Sequence, residues 1–339
     1  MPGRRAFLAL RDILEEDVAV KLTIDAVSNF LGEIAPRLAP PGFVYLTGSG
    51  TSYHASIVGQ YALSRLSSTL SSSIPASEFT HWTSMKGAGT MVVAVSRSGE
   101  TLDTLNAAKY AKSRGATVLA LTNNGESSLA RLSHFFILTR AGDEKSGVAT
   151  KSYVSQLAAL YLLAAFLGEV KGCKEAAAFK PLLYDLPESV RKTVALSQEQ
   201  AKSVAEECRE AELFLILGSG ANYATALEAA LKLEEVANLP AEGLSASAFL
   251  HEPVQPVDEK TAVVMLLPPR KQAEVYIEAA SRFEKLGSKV IVVADWESGF
   301  DNQLLVPAND PLLSPVLFII PLQFFSCYIS KLKKADLGG

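Results

Sequence analysis

The same strand–turn–helix signature occurs twice in this chain, and it constrains the fold more than any other feature. The segment LTGSGTSYHA begins at Leu46 and its echo ILGSGANYAT begins at Ile216, so that Gly48 and Gly218 lie 170 positions apart. In both copies an apolar run precedes the glycines and a helical pattern follows them. A repeat of about half the 339 residues predicts an internal duplication.

Short apolar segments alternate with helical segments along both halves of the chain. Strands are expected at 43–47, 91–95, 117–121, 135–139, 213–217, 261–267 and 289–294, and helices near 51–68, 101–114 and 150–168. This alternation predicts an α/β protein with parallel sheets covered on both faces by helices. The length is sufficient for two such domains.

Prolines and glycines suggest where the parts of the chain begin and end. We expect an N-terminal helical segment at 1–40, a first domain at 41–180 and a second domain at 195–339. A linker is placed near 171–195, where Pro181 and Pro187 interrupt the helical pattern. The apolar stretch 311–330 contains three prolines and Gln323, so we expect a strand end and a buried core helix there and not a membrane span.

Charge and cysteine content disfavour several classes of function. The net charge of −4 argues against a nucleic-acid-binding surface. The three cysteines have neither metal-binding nor redox spacing, so no metal and no other cofactor is expected. The cysteines are expected to be buried small apolar residues in a reducing compartment. Together with an N-terminus that lacks a signal-peptide pattern, this predicts a cytoplasmic protein that does not bind a membrane.

Two loops in the first half have the composition of an anion site. Each follows an apolar strand and opens a helix, where backbone N–H groups and the helix dipole favour negative charge. Glycine allows close approach of the backbone, and hydroxyl groups add donors. The candidate phosphate-binding residues are Gly50, Thr51 and Ser52 in the first loop and Ser96, Arg97, Ser98 and Thr101 in the second.

The second copy differs from the first at the corresponding loop. Its dipeptide Pro268-Pro269 cannot donate N–H groups, so this loop is a poor anion site. The copy offers instead Glu228, Lys232 and Glu235 on one helix face. Spacing alone favours a surface ion pair between Glu228 and Lys232, and a lone histidine such as His251 is more often structural than catalytic. A carboxylate and a histidine beside a phosphate site also suit general acid–base catalysis.

Eight motifs, in a fixed order, carry a resemblance to a known family. They are GTSYH, ASEF, SRSGETLDTL, TNNGESSLAR, GVATKSYVSQL, ALEAALKLEEV, FLHEPV and Pro321-Leu322-Gln323. Over about residues 42–335 the chain resembles the double SIS (sugar isomerase) proteins. Within them it is similar to the isomerase half of the glutamine–fructose-6-phosphate aminotransferases and to related glucosamine-6-phosphate deaminases. No cysteine follows Met1, so the glutaminase domain of those aminotransferases is not expected.

The resemblance implies a fold, a reaction and residue roles. The fold is two tandem SIS subdomains, each a mainly parallel, flavodoxin-like three-layer αβα sandwich. The reaction is C1–C2 proton transfer on glucosamine 6-phosphate or fructose 6-phosphate, with the phosphate bound by the two loops. Glu235 would move the proton and Lys232 would lie beside it. His251 would assist ring opening from the neighbouring subunit of a homodimer.

Three features depart from the family pattern and leave alternatives open. Glu252 replaces the usual glycine after His251, and the GVATK segment is one residue shorter than usual. Residues 334–339 do not match the family's Pro-Arg-x-Leu-x-Lys tail, whose lysine forms a Schiff base in the aminotransferases. The alternatives are an aldose–ketose hexose-phosphate isomerase without amino chemistry and a non-catalytic sugar-phosphate sensor.

Overall fold

The computed structural model describes residues 2–34, 38–251 and 257–336. Its contacts divide the chain into two compact units. The first-repeat unit lies within Glu16–Asp143 and Lys151–Pro187. The second-repeat unit lies within Met1–Glu15, Glu144–Thr150 and Glu188–Gly339. The three domain limits expected from the sequence stay a prediction.

Strands and helices alternate through the described residues. The strands are β1 (Phe43–Gly48), β2 (Leu70–Pro75), β3 (Thr90–Val95), β4 (Thr117–Thr122), β5 (Phe135–Leu138), β6 (Leu213–Gly218), β7 (Ala241–Ser245), β8 (Thr261–Leu266), β9 (Lys289–Ala294) and β10 (Gln303–Leu305). The α-helices are α1 (Pro2–Ile13), α2 (Glu16–Ile34), α3 (Thr51–Ser67), α4 (Ala76–Trp82), α5 (Leu102–Ser113), α6 (Ser128–Leu132), α7 (Lys151–Val170), α8 (Lys174–Glu207), α9 (Asn222–Lys232), α10 (Ala246–His251), α11 (Glu274–Lys285) and α12 (Ser314–Asp336). A π-helical segment, Leu233–Ala237, continues α9.

Each unit contains one five-stranded parallel sheet. The strand orders are β2-β1-β3-β4-β5 and β10-β9-β8-β6-β7, which are the same topology read from opposite edges. The paired strands in both sheets run parallel. Strands β3, β4 and β8 are apolar and buried apart from terminal threonines, as expected where helices cover both faces. The predicted α/β fold, its two repeats and its parallel sheets are confirmed.

The repeated glycines are required by close packing at the start of the following helix. β1 and β6 occupy the same place in their sheets, and each ends at the glycine of the GSG turn. A Cβ atom on Gly48 would lie 2.8 Å from the backbone of Ser52, and one on Gly218 would lie 2.1 Å from the Asn222 carbonyl oxygen. Any side chain at these positions would push the helix away from the strand.

The structure corrects several sequence-based expectations. The interruption of the helical pattern expected at Pro181 and Pro187 is wrong, because α8 runs through both prolines. Each proline removes one helical hydrogen bond, but buried side chains hold α8 in place. These side chains include Phe179, Leu183, Leu186 and Val190. The strands β2, β7 and β10 were not expected, because they are short or polar edge strands without an apolar run.

Among the described residues, two helices are long and apolar enough to cross a membrane. They are α7 and the first twenty residues of α12, and 83% of each apolar window is buried inside the structure. Burial of this extent is typical of core helices. The buried helix predicted near 311–330 is confirmed, while Pro311–Leu313 forms a turn and no strand.

Candidate active site

The first loop of the first-repeat unit joins β1 to α3. Gly50 has φ +52, a conformation that favours glycine, and it precedes the first turn of α3. Thr51 begins the helix, and Ser52 is only 8% exposed. The Ser49 hydroxyl oxygen is buried and has no hydrogen-bond partner within the described structure. An unsatisfied buried hydroxyl at a helix N-terminus is a donor available to an anion.

Gln156 is a further residue of this loop environment that sequence reasoning did not select. It lies on α7, is 2% exposed, and donates from Nε2 to the Ser52 hydroxyl oxygen at 3.2 Å. Because that oxygen accepts the amide hydrogen, the Ser52 hydroxyl hydrogen can point elsewhere and donate to a ligand. The only sequence signal was the position of Gln156 inside the motif GVATKSYVSQL.

The second loop of this unit joins β3 to α5 and is held by its own hydroxyls. The Ser96 oxygen accepts from the Gly99 amide at 3.1 Å and lies 3.1 Å from the Thr101 hydroxyl. The Ser98 oxygen accepts from the Glu100 amide at 3.2 Å. These bonds fix the loop, and the exposed Ser98 keeps its own hydrogen for donation.

Charged groups of the second loop have different environments. In the described residues, Nη1 of Arg97 is buried without a hydrogen-bond partner, so it can serve a bound anion. Glu100 accepts from the Ser128 amide at 2.7 Å, and hydrogen bonds from Ser128 hold the pKa of its carboxyl below the usual value. The structure thus places all seven predicted phosphate-binding residues in the first-repeat unit, at the β1–α3 and β3–α5 junctions.

The predicted acid–base residues lie in the second-repeat unit, where α9 passes into the π segment Leu233–Ala237. Nζ of Lys232 lies 3.2 Å from Glu228 and 2.5 Å from Glu235. The Glu228 and Lys232 side chains are 0% and 1% exposed, so the surface ion pair favoured by spacing is wrong. Glu235 is 37% exposed and presents the accessible carboxylate of the cluster.

The electrostatics of this cluster favour a permanent cation at its centre. Burial opposes the charge of Lys232, but the attraction of Glu228 and Glu235 outweighs it and raises the pKa of Lys232. Glu235 lies within a π turn, a feature that occurs frequently at functional sites. A buried ammonium between two carboxylates, one of them accessible, is an arrangement suited to proton transfer.

The structure does not bring His251 into hydrogen-bond contact with the described residues of this cluster. His251 ends α10 and its side chain is exposed. Glu252, where the sequence departs from the family pattern, lies outside the described residues. The described residues contain no group of three or more histidine, cysteine or acidic side chains that could hold a metal ion.

Comparison with known proteins agrees with this architecture. Residues 38–166 and 207–329 match the SIS domain family. The glutamine–fructose-6-phosphate aminotransferase (isomerizing) of Gloeobacter violaceus is 34% identical over 99% of this chain. The enzyme of the same name from Thermococcus kodakarensis is 33% identical over 96% of it. The chain spans just over half of these relatives, 57% and 55% of their lengths.

Solved structures share the fold over nearly the whole chain. The C-terminal domain of glucosamine-fructose-6-phosphate aminotransferase from Francisella tularensis has a TM-score of 0.86 and 26% identity, covering 96% of both chains. Glucosamine-6-phosphate deaminase from Thermotoga maritima has a TM-score of 0.76 and 23% identity, covering 96% of this chain and 95% of that one. At 23% identity, the similarity to the deaminase supports the fold of this chain and not its function.

Proposed function

Because the chain belongs to the SIS domain family, we propose that it is a sugar-phosphate isomerase or deaminase. Its substrate is glucosamine 6-phosphate or fructose 6-phosphate, and its reaction is proton transfer between C1 and C2. The observation that carries the proposal is the buried Lys232, paired with Glu228 and with the accessible Glu235. The names of the similar aminotransferases support the choice of substrate class.

The loops of the first-repeat unit bind the phosphate in this proposal. Ser52, Ser98 and Thr101 donate hydroxyl hydrogens, and Arg97 supplies positive charge. Ser96 holds the second loop in shape through its bond to the Gly99 amide. Binding the remote phosphate fixes the position of the reacting carbons, so binding energy is used for orientation.

Glu235 is the proton carrier and His251 assists ring opening. In open-chain glucosamine 6-phosphate, Glu235 removes the proton from C2 and the electron pair moves toward the C1 carbonyl oxygen. Return of this proton to C1, together with transfer of one amino proton to the C1 oxygen, leaves a C1 hydroxyl and an imine at C2. Addition of water and loss of ammonia give fructose 6-phosphate. The cationic Lys232 holds the Glu235 carboxylate in place and can stabilise negative charge on the substrate oxygen.

The assay follows both products of the reaction. Fructose 6-phosphate and ammonia are measured from glucosamine 6-phosphate, and fructose 6-phosphate alone is measured from glucose 6-phosphate. Ammonia release is the expected result. Product from glucose 6-phosphate only would favour the aldose–ketose isomerase. Binding of sugar phosphate without any turnover would identify a sensor and overturn the enzymatic proposal.

Glu235→Gln tests the proton carrier. We expect kcat to fall by about 100-fold or more, because general acid–base catalysis contributes about 10²–10⁴-fold. Glu234→Gln is the matched control, since Glu234 is the exposed neighbour of Glu235. Equal rates for the two variants would show that another group carries the proton.

A homodimer and a cytoplasmic location remain part of the proposal. Sedimentation analysis tests the homodimer.

A further inference from the structure

The π segment leaves two backbone carbonyls without a helical donor. In a π-helix a carbonyl accepts from residue i+5, and in an α-helix from residue i+4. Pro240 is i+5 for Glu235 and i+4 for Val236, and proline has no N–H. The Leu239 amide, which is i+4 for Glu235, bonds instead to the Leu233 carbonyl at 3.4 Å. Both carbonyls therefore need donors from elsewhere.

Side chains from α1 and α12 supply these donors. Nη1 of Arg5 donates to the Glu235 carbonyl oxygen at 2.9 Å. The Ser330 hydroxyl donates to the Val236 carbonyl oxygen at 2.9 Å, and Ser330 is fully buried. Two consecutive carbonyls are thus capped by residues from opposite ends of the described chain.

Helix α1 is itself held firmly within the second-repeat unit. The fully buried Asp12 carboxylate accepts from the amides of Lys145 and Ser146 at 3.2 and 2.9 Å. Ala6 and Ala9 are also fully buried, and α1 packs on α12 and on the π segment. Small side chains at a helix contact allow a close approach, which brings Arg5 within reach of Glu235.

We propose that Arg5 and Ser330 are positioning residues for Glu235. By capping the carbonyls of Glu235 and Val236, they hold the π turn in the conformation from which the Glu235 carboxylate projects beside Lys232. This inference rests on the proposed role of Glu235 as proton carrier. Neither residue touches the reacting atoms in this proposal, so their effect is on kcat through the placement of Glu235.

The test combines kinetics with amide hydrogen exchange in Arg5→Met, Ser330→Ala and the double variant. We expect each single variant to lower kcat by about tenfold and the double variant by about 100-fold, since a displacement of about 1 Å can cost 10²-fold. KM for the sugar phosphate should stay unchanged, because the phosphate loops lie in the other unit. Exchange of the Asn238 and Leu239 amides, which bond to carbonyls of the π segment, should accelerate.

Two controls separate positioning from general loss of structure. Arg4→Met removes the exposed neighbouring arginine and should leave kcat and exchange unchanged. Arg5→Lys restores a cationic donor and should recover part of kcat, which a purely steric role would not predict. Unchanged kcat and exchange in Arg5→Met and Ser330→Ala would overturn the inference. An inactive parent protein would overturn the proposed function alone, and hydrogen exchange would still decide whether the two caps hold the π turn.

Discussion

Removal of the buried carboxylate Glu228 should destabilise the second-repeat unit far more than removal of an exposed one. Nζ of Lys232 lies 3.2 Å from Glu228, and both side chains are fully or almost fully buried. At an effective dielectric constant of about 20, this separation corresponds to an attraction of about 5 kcal/mol. Breaking a buried pair typically costs about 3–5 kcal/mol. After Glu228→Gln the buried Lys232 keeps only the partly exposed Glu235 as a charged partner.

For a unit of this size we expect Glu228→Gln to lower Tm by roughly 6–20 °C, at about 2–4 °C per kcal/mol. Fluorescence of Trp296 follows this unit in a Trp82→Phe background, since these are the two tryptophans of the chain. Glu212→Gln is the control. Glu212 pairs with Lys260 at 2.7 Å, but the side chains are 65% and 62% exposed, so the Tm of this variant should move by less than about 4 °C.

The pH dependence and a second substitution sharpen this test. The pKa of Lys232 is raised above its ordinary value of 10.5, so the pair's contribution is fully present below pH 10.5 and is lost as pH rises through the folded-state pKa. The Tm difference should therefore be constant between pH 7 and pH 9. Adding Lys232→Met to Glu228→Gln should recover stability, because no buried cation then remains. Equal Tm values for Glu228→Gln and Glu212→Gln would refute the reasoning.

Two further predictions concern the first-repeat unit. Gly99→Ala should lower the Tm measured by circular dichroism more than Gly142→Ala does. Both glycines have φ near +70°, so both alanines are strained. Only at Gly99 would the new Cβ also lie 2.2 Å from the Ser127 hydroxyl oxygen. Equal decreases in Tm would show that the loop rearranges to accommodate the methyl group. Gln156→Leu should raise the calorimetric Kd for glucosamine 6-phosphate by about 2–10-fold, because Ser52 loses one hydrogen bond. An unchanged Kd would argue against Ser52 as a phosphate ligand.

Much of the fold follows from local patterns in the sequence. The apolar runs ending at Val95 and Leu217 predict buried parallel strands, and the structure has them there. The polar strand β2 was not predicted. It lies at the edge of its sheet and is only partly buried, so it needs no apolar run. Pro181 and Pro187 suggested a break, yet α8 continues because its buried apolar residues outweigh the lost hydrogen bonds.

The candidate site, too, could be predicted from the sequence only in part. Glycines and hydroxyls at the ends of β1 and β3 indicated an anion site, since turn chemistry acts within a few residues. Helical spacing placed Glu228, Lys232 and Glu235 on one face but could not tell whether that face is covered. An exposed pair and a buried pair have the same spacing, so only tertiary packing distinguishes them.

By itself, the sequence determined the duplicated α/β topology, the GSG turns and, through Pro240, the missing N–H four residues after Val236. These depend on side-chain periodicity, glycine freedom and the missing proline N–H, which act locally. The tertiary structure decided the burial of Lys232 and the donors that cap the carbonyls beside it. Arg5 and Glu235 are 230 positions apart. No local pattern specifies such a contact, because it exists only after α1 has packed against the π segment that contains Glu235.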